Sequence, residues 1–168
     1  MKTLTTLMGL LFCLAASPAS ADAFVKFHGI VGDSASDKDH KGWSVIYGFT
    51  QKIQAPGGSD GASRRRGGVV LEDVLLSKPV DKASIEIARA AVKGKSIPIV
   101  KIQLTKNGTV HFAYDLEHVT VTGYEVTESG DGRPMEKISL SYKKIKMIYT
   151  EVDRNGKIKG KNEVSANK

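Results

Sequence analysis

Two stretches of this sequence alternate apolar and polar residues and then change phase without a break. Within residues 109–126, Phe112, Tyr114 and Leu116 fall on even positions, whereas Val119 and Val121 fall on odd ones. Within residues 136–152, Ile138, Leu140 and Tyr142 are even and Ile145, Met147 and Tyr149 are odd, with the switch at Lys143-Lys144. Successive side chains of a strand point to opposite faces, so a one-residue slip is what a bulge or sharp bend produces. Two long antiparallel strands, each bent, predict a sheet that curls on itself as a barrel or an orthogonal sandwich.

Most other segments also alternate with a period of two. In residues 42–53, Trp43, Val45, Tyr47, Phe49 and Ile53 occupy odd positions, and Ser44, Gly48, Thr50 and Lys52 even ones. This predicts one strand with Trp43, Val45, Tyr47 and Phe49 on its buried face. Shorter strands are expected over residues 23–30, 69–76 and 96–104. Lys106-Asn107-Gly108-Thr109 and Arg154-Asn155-Gly156-Lys157 carry Asn-Gly hairpin signals. One segment reads as helix: in residues 79–95, Ile85, Ala88 and Val92 recur at i, i+3 and i+7, Asp81 offers an N-cap and Gly94 a stop. Lys93 and Lys95 at its C-terminal end suit the helix dipole.

The N-terminus has a separate signature. Lys2 is followed by the apolar run Leu4–Ala16 and then by small residues up to Ala21, the pattern of a secretory signal peptide cleaved before Asp22. The run is too short to span a bilayer, and no later segment is more apolar. Phe12 before Cys13 and the apolar residues after it argue against a lipid anchor there. The expected organisation is therefore a signal peptide over residues 1–21 and a single domain over 22–168, secreted or periplasmic. Cys13 is the only cysteine, so the processed chain forms no disulfide. The 168-residue chain carries 25 basic and 18 acidic residues, a net charge of +7, which permits acidic partners without requiring one.

The search for catalytic chemistry yields little. There is no P-loop or dinucleotide fingerprint. His111, Asp115, Glu117 and His118 crowd one segment, but on a regular strand the two histidines face opposite sides, so strand-surface polarity is favoured over a metal site. Asp33, Asp37 and Asp39 lack the spacing of a calcium loop and read as a solvated acidic loop. Lys143, Lys144 and Lys146 read as strand-surface lysines that keep the sheet soluble and discourage edge pairing. No catalytic residue, metal or cofactor is assigned.

The ordered series Asp22–Ile30, Gly32-Asp33-Ser34, His40 and Trp43–Gln51 resembles the opening of the haemolysin-coregulated protein (Hcp) family, the tube proteins of type VI secretion systems. The glycine-rich stretch Gly57–Gly68, the run Val69–Pro79, the helix Asp81–Lys93, and Glu136–Tyr142 through Gly160 continue the likeness over nearly all of the chain after residue 21. The resemblance implies a mainly β fold, a small two-sheet β-barrel with one flanking α-helix that forms rings. It implies a non-enzymatic subunit whose hexameric rings stack into a tube, with sheath, spike and effector proteins as partners. Two features depart from the family. Tyr47 stands where many members have a second Trp, and tube subunits assemble in the cytoplasm without a signal peptide.

Gly61–Val70 adds Arg64, Arg65 and Arg66 to this glycine-rich loop. By the resemblance, the assembly residues are Gly57, Gly58, Arg64, Arg65, Arg66 and Gly67, with the loop projecting from the ring face toward the next ring. The alternative is an exported monomeric β-barrel that captures an anionic ligand through these arginines. Nucleic acid is disfavoured, because no aromatic interleaves with the arginines and glycines flank them. No membrane partner is expected once the signal peptide is removed.

Overall fold

The computed structural model describes residues 21–34, 39–55, 68–128, 130, 132–153 and 157–168. Among them are β1 (Ala21–Phe27), β2 (Ser44–Ile46), β3 (Gly48–Thr50), β4 (Ile53–Gln54), β5 (Val70–Leu71) and β6 (Val74–Pro79). A helix, α1 (Ser84–Lys93), follows, and then β7 (Ile97–Lys106), β8 (Thr109–Thr127), β9 (Met135–Ser141), β10 (Lys144–Val152) and β11 (Ile158–Asn167). All pairings are antiparallel.

The strands form two layers that share β8. Its first half pairs with β7 and β10, extending a layer in the order β2-β1-β7-β8-β10-β11. Its second half pairs with β9, which leads to β6 and β3. The chain changes layer where the phase slips. His118 has a φ of 52°, a left-handed backbone that turns β8 between Leu116 and Val119, both fully buried. The second expected bent strand is two strands, β9 and β10, separated at Tyr142-Lys143. Ile138, Leu140, Tyr142 and Ile145 are buried on either side of that corner, as the change of parity requires.

The third change of layer overturns the reading of residues 42–53 as one strand with its odd side chains buried. β2 pairs with β1 in one layer and β3 with β6 in the other, and Tyr47 joins them, donating its N–H to the Ser77 carbonyl at 2.8 Å. Ser44 and Ile46 are buried; Trp43, Val45 and Phe49 are half-buried, and Tyr47 is 70% exposed. A strand that leaves its sheet every few residues does not keep one face on one core. Gly48 suits the crossing, because a Cβ there would stand 3.1 Å from the Ser77 Cβ. The hydrogen-bonded path thus runs from β2 round to β3, its two ends joined covalently through Tyr47. Likewise the run 69–76 divides at Glu72-Asp73, β5 pairing with β4 and β6 entering the second layer.

The Asn107-Gly108 hairpin forms as expected, with φ of 52° and 73° at its two loop residues. The second Asn-Gly turn, residues 154–156, lies outside the described residues, but β10 and β11 pair on either side of it. The core combines Val25, Phe27, Val74, Leu76, Val100, Ile102, Leu116, Leu140 and Ile145 from both layers.

Helix α1 ends at Gly94, whose left-handed φ of 59° lets it and Lys95 cap the Ala90 and Ala91 carbonyls. Its buried face is not the expected one. Ala83, Ile87 and Ala90 meet the core, while Ile85 and Val92 are 68% and 88% exposed. The alanines allow the helix axis close to the sheet, which leaves the larger line of side chains outside.

Candidate assembly surface and the ion cluster behind it

Where α1 begins, a charged cluster is sealed into the core. Lys78, the fifth residue of β6, and Glu136, the second of β9, are fully buried. The Lys78 ammonium lies 2.7 Å from Glu136 Oε1 and 2.7 Å from Asp81 Oδ1, and donates to the Pro79 carbonyl at 2.9 Å. The Pro79 carbonyl and Asp81 accept hydrogen bonds from this ammonium, whereas Glu136 Oε1 is held as an ion pair and has no hydrogen-bond donor among the described residues. Tyr124 Oη donates to the other Glu136 oxygen at 2.7 Å. Burial first, then that carboxylate, push the Tyr124 hydroxyl well above the ordinary tyrosine range, so it stays a donor.

Asp81 is the hinge between this cluster and the helix. Its Oδ1 also accepts from the Ala83 N–H at 2.9 Å, and its own N–H donates to Ser84 Oγ at 2.9 Å. The helix proper starts at Ser84 with Ala83 as its cap residue, so Asp81 sits two residues ahead of the N-cap position. Helical dihedrals at Ala83 extend the turn backwards and place the carboxylate over it.

Burial raises the Asp81 carboxyl, but Lys78, Ser44 and the Ala83 N–H outweigh it and hold the group below its ordinary 3.8. Asp73 behaves alike: burial raises it, and Lys168 and Thr122 bring it below 3.8. A carboxyl whose pKa is depressed on folding adds stability above its unfolded value, and that stability is lost as pH falls through the folded value. Urea midpoints are therefore expected to be level from pH 7 to 5 and to decline below about pH 4.

The outer face of the first layer is a field of cross-strand ion pairs. Asp115 stands in register with Lys101 and Lys146, and Glu117 Oε1 accepts from Lys144 Nζ at 2.8 Å. Lys146 pairs with Glu163 on β11 at 2.7 Å. Such pairs fix register more than they add stability. His118 is exposed at the bend, and among the described residues no three His, Cys, Asp or Glu side chains converge on a metal position. Asp33 pairs with Lys82 at 3.1 Å, Asp39 also has partners, and Asp37 lies outside the described residues.

Gly57, Gly58, Arg64, Arg65, Arg66 and Gly67 also lie outside the described residues. Their stem is described: β4 and β5 pair through Ile53↔Leu71 and Gln54↔Val70, braced by Lys52 and Gln54 on Glu72. Ile53, Val69 and Val70 on this arm are 42%, 58% and 55% exposed. In the first layer β11 is an outer strand along its whole length, mostly exposed and with Ile158 and Val164 uncovered. The ion cluster and the outward faces of α1 and β11 were not legible in the sequence, because each depends on which distant segments meet.

A mainly β domain with one short helix, an uncovered outer strand, an apolar arm and paired surface charges presents the chemistry of association, and that defines the class: a structural assembly module. The family model described as "Type VI secretion system effector, Hcp" matches residues 24–149, and this chain belongs to that family of type VI secretion tube proteins. Its members are structural, non-enzymatic secretion proteins. A solved structure described as that of a type six secretion system protein is 26% identical, with a TM-score of 0.80 over 88% of this chain and 96% of its own. Hcp1 from Salmonella typhimurium is 23% identical, with a TM-score of 0.73 over 88% of this chain and 94% of its own. The secreted protein Hcp3 from Pseudomonas aeruginosa shares the fold at 16% identity, with a TM-score of 0.62 over 89% of this chain and 97% of its own. A search of curated protein sequences found no match.

Proposed function

We propose that this chain assembles into homohexameric rings, that the rings stack into a tube, and that the tube carries effector proteins for a type VI sheath and spike. Family membership over residues 24–149 carries this reading. The uncovered strand β11 and the apolar β4–β5 arm support it, since a ring covers edges that a lone subunit leaves bare. Negative-stain images and sedimentation of the purified protein are expected to show rings; a strictly monomeric protein at high concentration would overturn the reading.

The arginine loop is assigned to contact between rings. Arg64, Arg65 and Arg66 meet acidic residues of a neighbouring copy, with Asp33, whose side chain is 47% exposed, as one available partner. Changing all three arginines to glutamate is expected to abolish stacked tubes and leave single rings intact. Stacks that survive in that variant would remove the arginines from the contact.

Residues 1–21 act as a secretory leader, supported by Lys2, the run Leu4–Ala16 and the small residues before Asp22. N-terminal sequencing of protein recovered outside the cell is expected to begin at Asp22.

A further inference from the structure

The bond between Ala21 and Asp22 does not lie in a tail ahead of the domain. It lies inside β1, whose every residue from Ala21, opposite Lys106, to Phe27, opposite Val100, is in register with β7. On its other side β1 is paired with β2 through Ala23, Phe24 and Val25. The Asp22 carbonyl accepts from Thr105 Oγ1 at 3.0 Å, and Thr105 is itself buried. Within the next five residues Phe24, Val25 and Phe27 are all buried, so no spacer separates the predicted cleavage point from the core.

We propose that folding shields this bond, so that leader removal and folding are competing fates of the same precursor. The inference rests on the reading of residues 1–21 as a leader. A peptidase must take the backbone on both sides of the scissile bond into its cleft, which requires β1 to detach from β7. Detachment uncovers Val25 and Phe27 and strips β2 of its partner, an opening that approaches global unfolding. Hydrolysis breaks the bond from the Ala21 carbonyl carbon to the Asp22 nitrogen. Water supplies its oxygen to the carbon and both of its protons to the nitrogen, leaving a carboxylate on Ala21 and an ammonium on Asp22. When opening is fast and rare, the rate of that step follows the open population. A chain that folds where it is made therefore keeps its leader, attached to β1 beside the β7–β8 hairpin. Only a chain handed over unfolded becomes the form that begins at Asp22.

Cell-free synthesis of the full chain tests this, with a purified bacterial leader peptidase in detergent present from the start or added after folding. Intact mass and N-terminal sequencing read the product. Val25→Asp, which places a charge in the core and prevents β1 from docking, serves as the unfolded reference. Cleavage after Ala21 is expected in the first arm and in V25D in both arms. The folded native precursor is expected to be cleaved at least about a hundredfold more slowly. Thr105→Val, which removes one clamp on Asp22, is expected to speed that slow cleavage. Equal rates for folded precursor and V25D would overturn the shielding while leaving the leader reading intact. If even V25D and the nascent chain stay whole, the leader reading fails and this proposal falls with it.

Discussion

Replacing Lys78 with methionine is expected to destabilise the protein by about 3–5 kcal/mol, the cost of removing one partner of a fully buried ion pair. Methionine is close to lysine in length and apolar, so the loss is not one of volume. It comes from Glu136, which has no exposure and would be left with only Tyr124 as a partner. The Asp81 carboxylate loses the same cation, and with it the brace between β6 and the first turn of α1. Urea denaturation at fixed protein concentration measures the effect, since any self-association makes apparent stability depend on concentration. The double variant Lys78→Met, Glu136→Leu is expected to recover much of the loss, because no uncompensated charge then remains at the buried β9 position. If the double variant is as unstable as K78M, the cost lies in the Asp81 brace.

The second large effect separates two phenylalanines of one strand. Phe27 and Phe24 are similarly buried, but they lie on opposite faces of β1. Phe27 enters the shared core of both layers. Phe24 lies on the outer face, stacked on His40 with ring centroids 4.0 Å apart, and His40 in turn meets the edge of Trp43. His40 is anchored there by Gln103 at 2.7 Å, so a loop segment covers what would otherwise be a wet sheet face. Phe27→Ala is expected to cost about 3–5 kcal/mol, because rigid strands on both sides cannot close the void. Phe24→Ala is expected to cost nearer about 2 kcal/mol, because the covering segment can settle or let water in. Thermal melts and proteolysis distinguish them: F27A loses the whole cooperative transition at lower temperature, whereas F24A keeps it and gains early cleavage in residues 28–43. Equal losses in the two variants would show that the aromatic cover is as integral as the core.

The two bends and the Asn107-Gly108 hairpin were readable in the sequence for a local reason. Parity belongs to the strand itself, so a slip at Leu116–Val119 or Tyr142–Ile145 reports a corner whatever lies around it. Glycine after asparagine fixes positive φ in the same local way. The family resemblance was likewise carried by the order of short strings, and the match over residues 24–149 bears it out.

The failures came where alternation had to be assigned a side. Trp43, Val45, Tyr47 and Phe49 share a parity, and so do Ser44 and Ile46, but which set is covered depends on β1 and β6 arriving from elsewhere in the chain. On α1 the line Ile85-Ala88-Val92 is as periodic as the line Ala83-Ile87-Ala90, and only the sheet's demand for close approach chose the second. Lys78 and Glu136 look like two more surface charges until β6 and β9 pair and set them against each other. By itself the sequence determined where this chain turns, because dihedral preference and side-chain alternation act between neighbours. Only the tertiary structure decided which side of each element is inside, because burial is a property of two surfaces that meet.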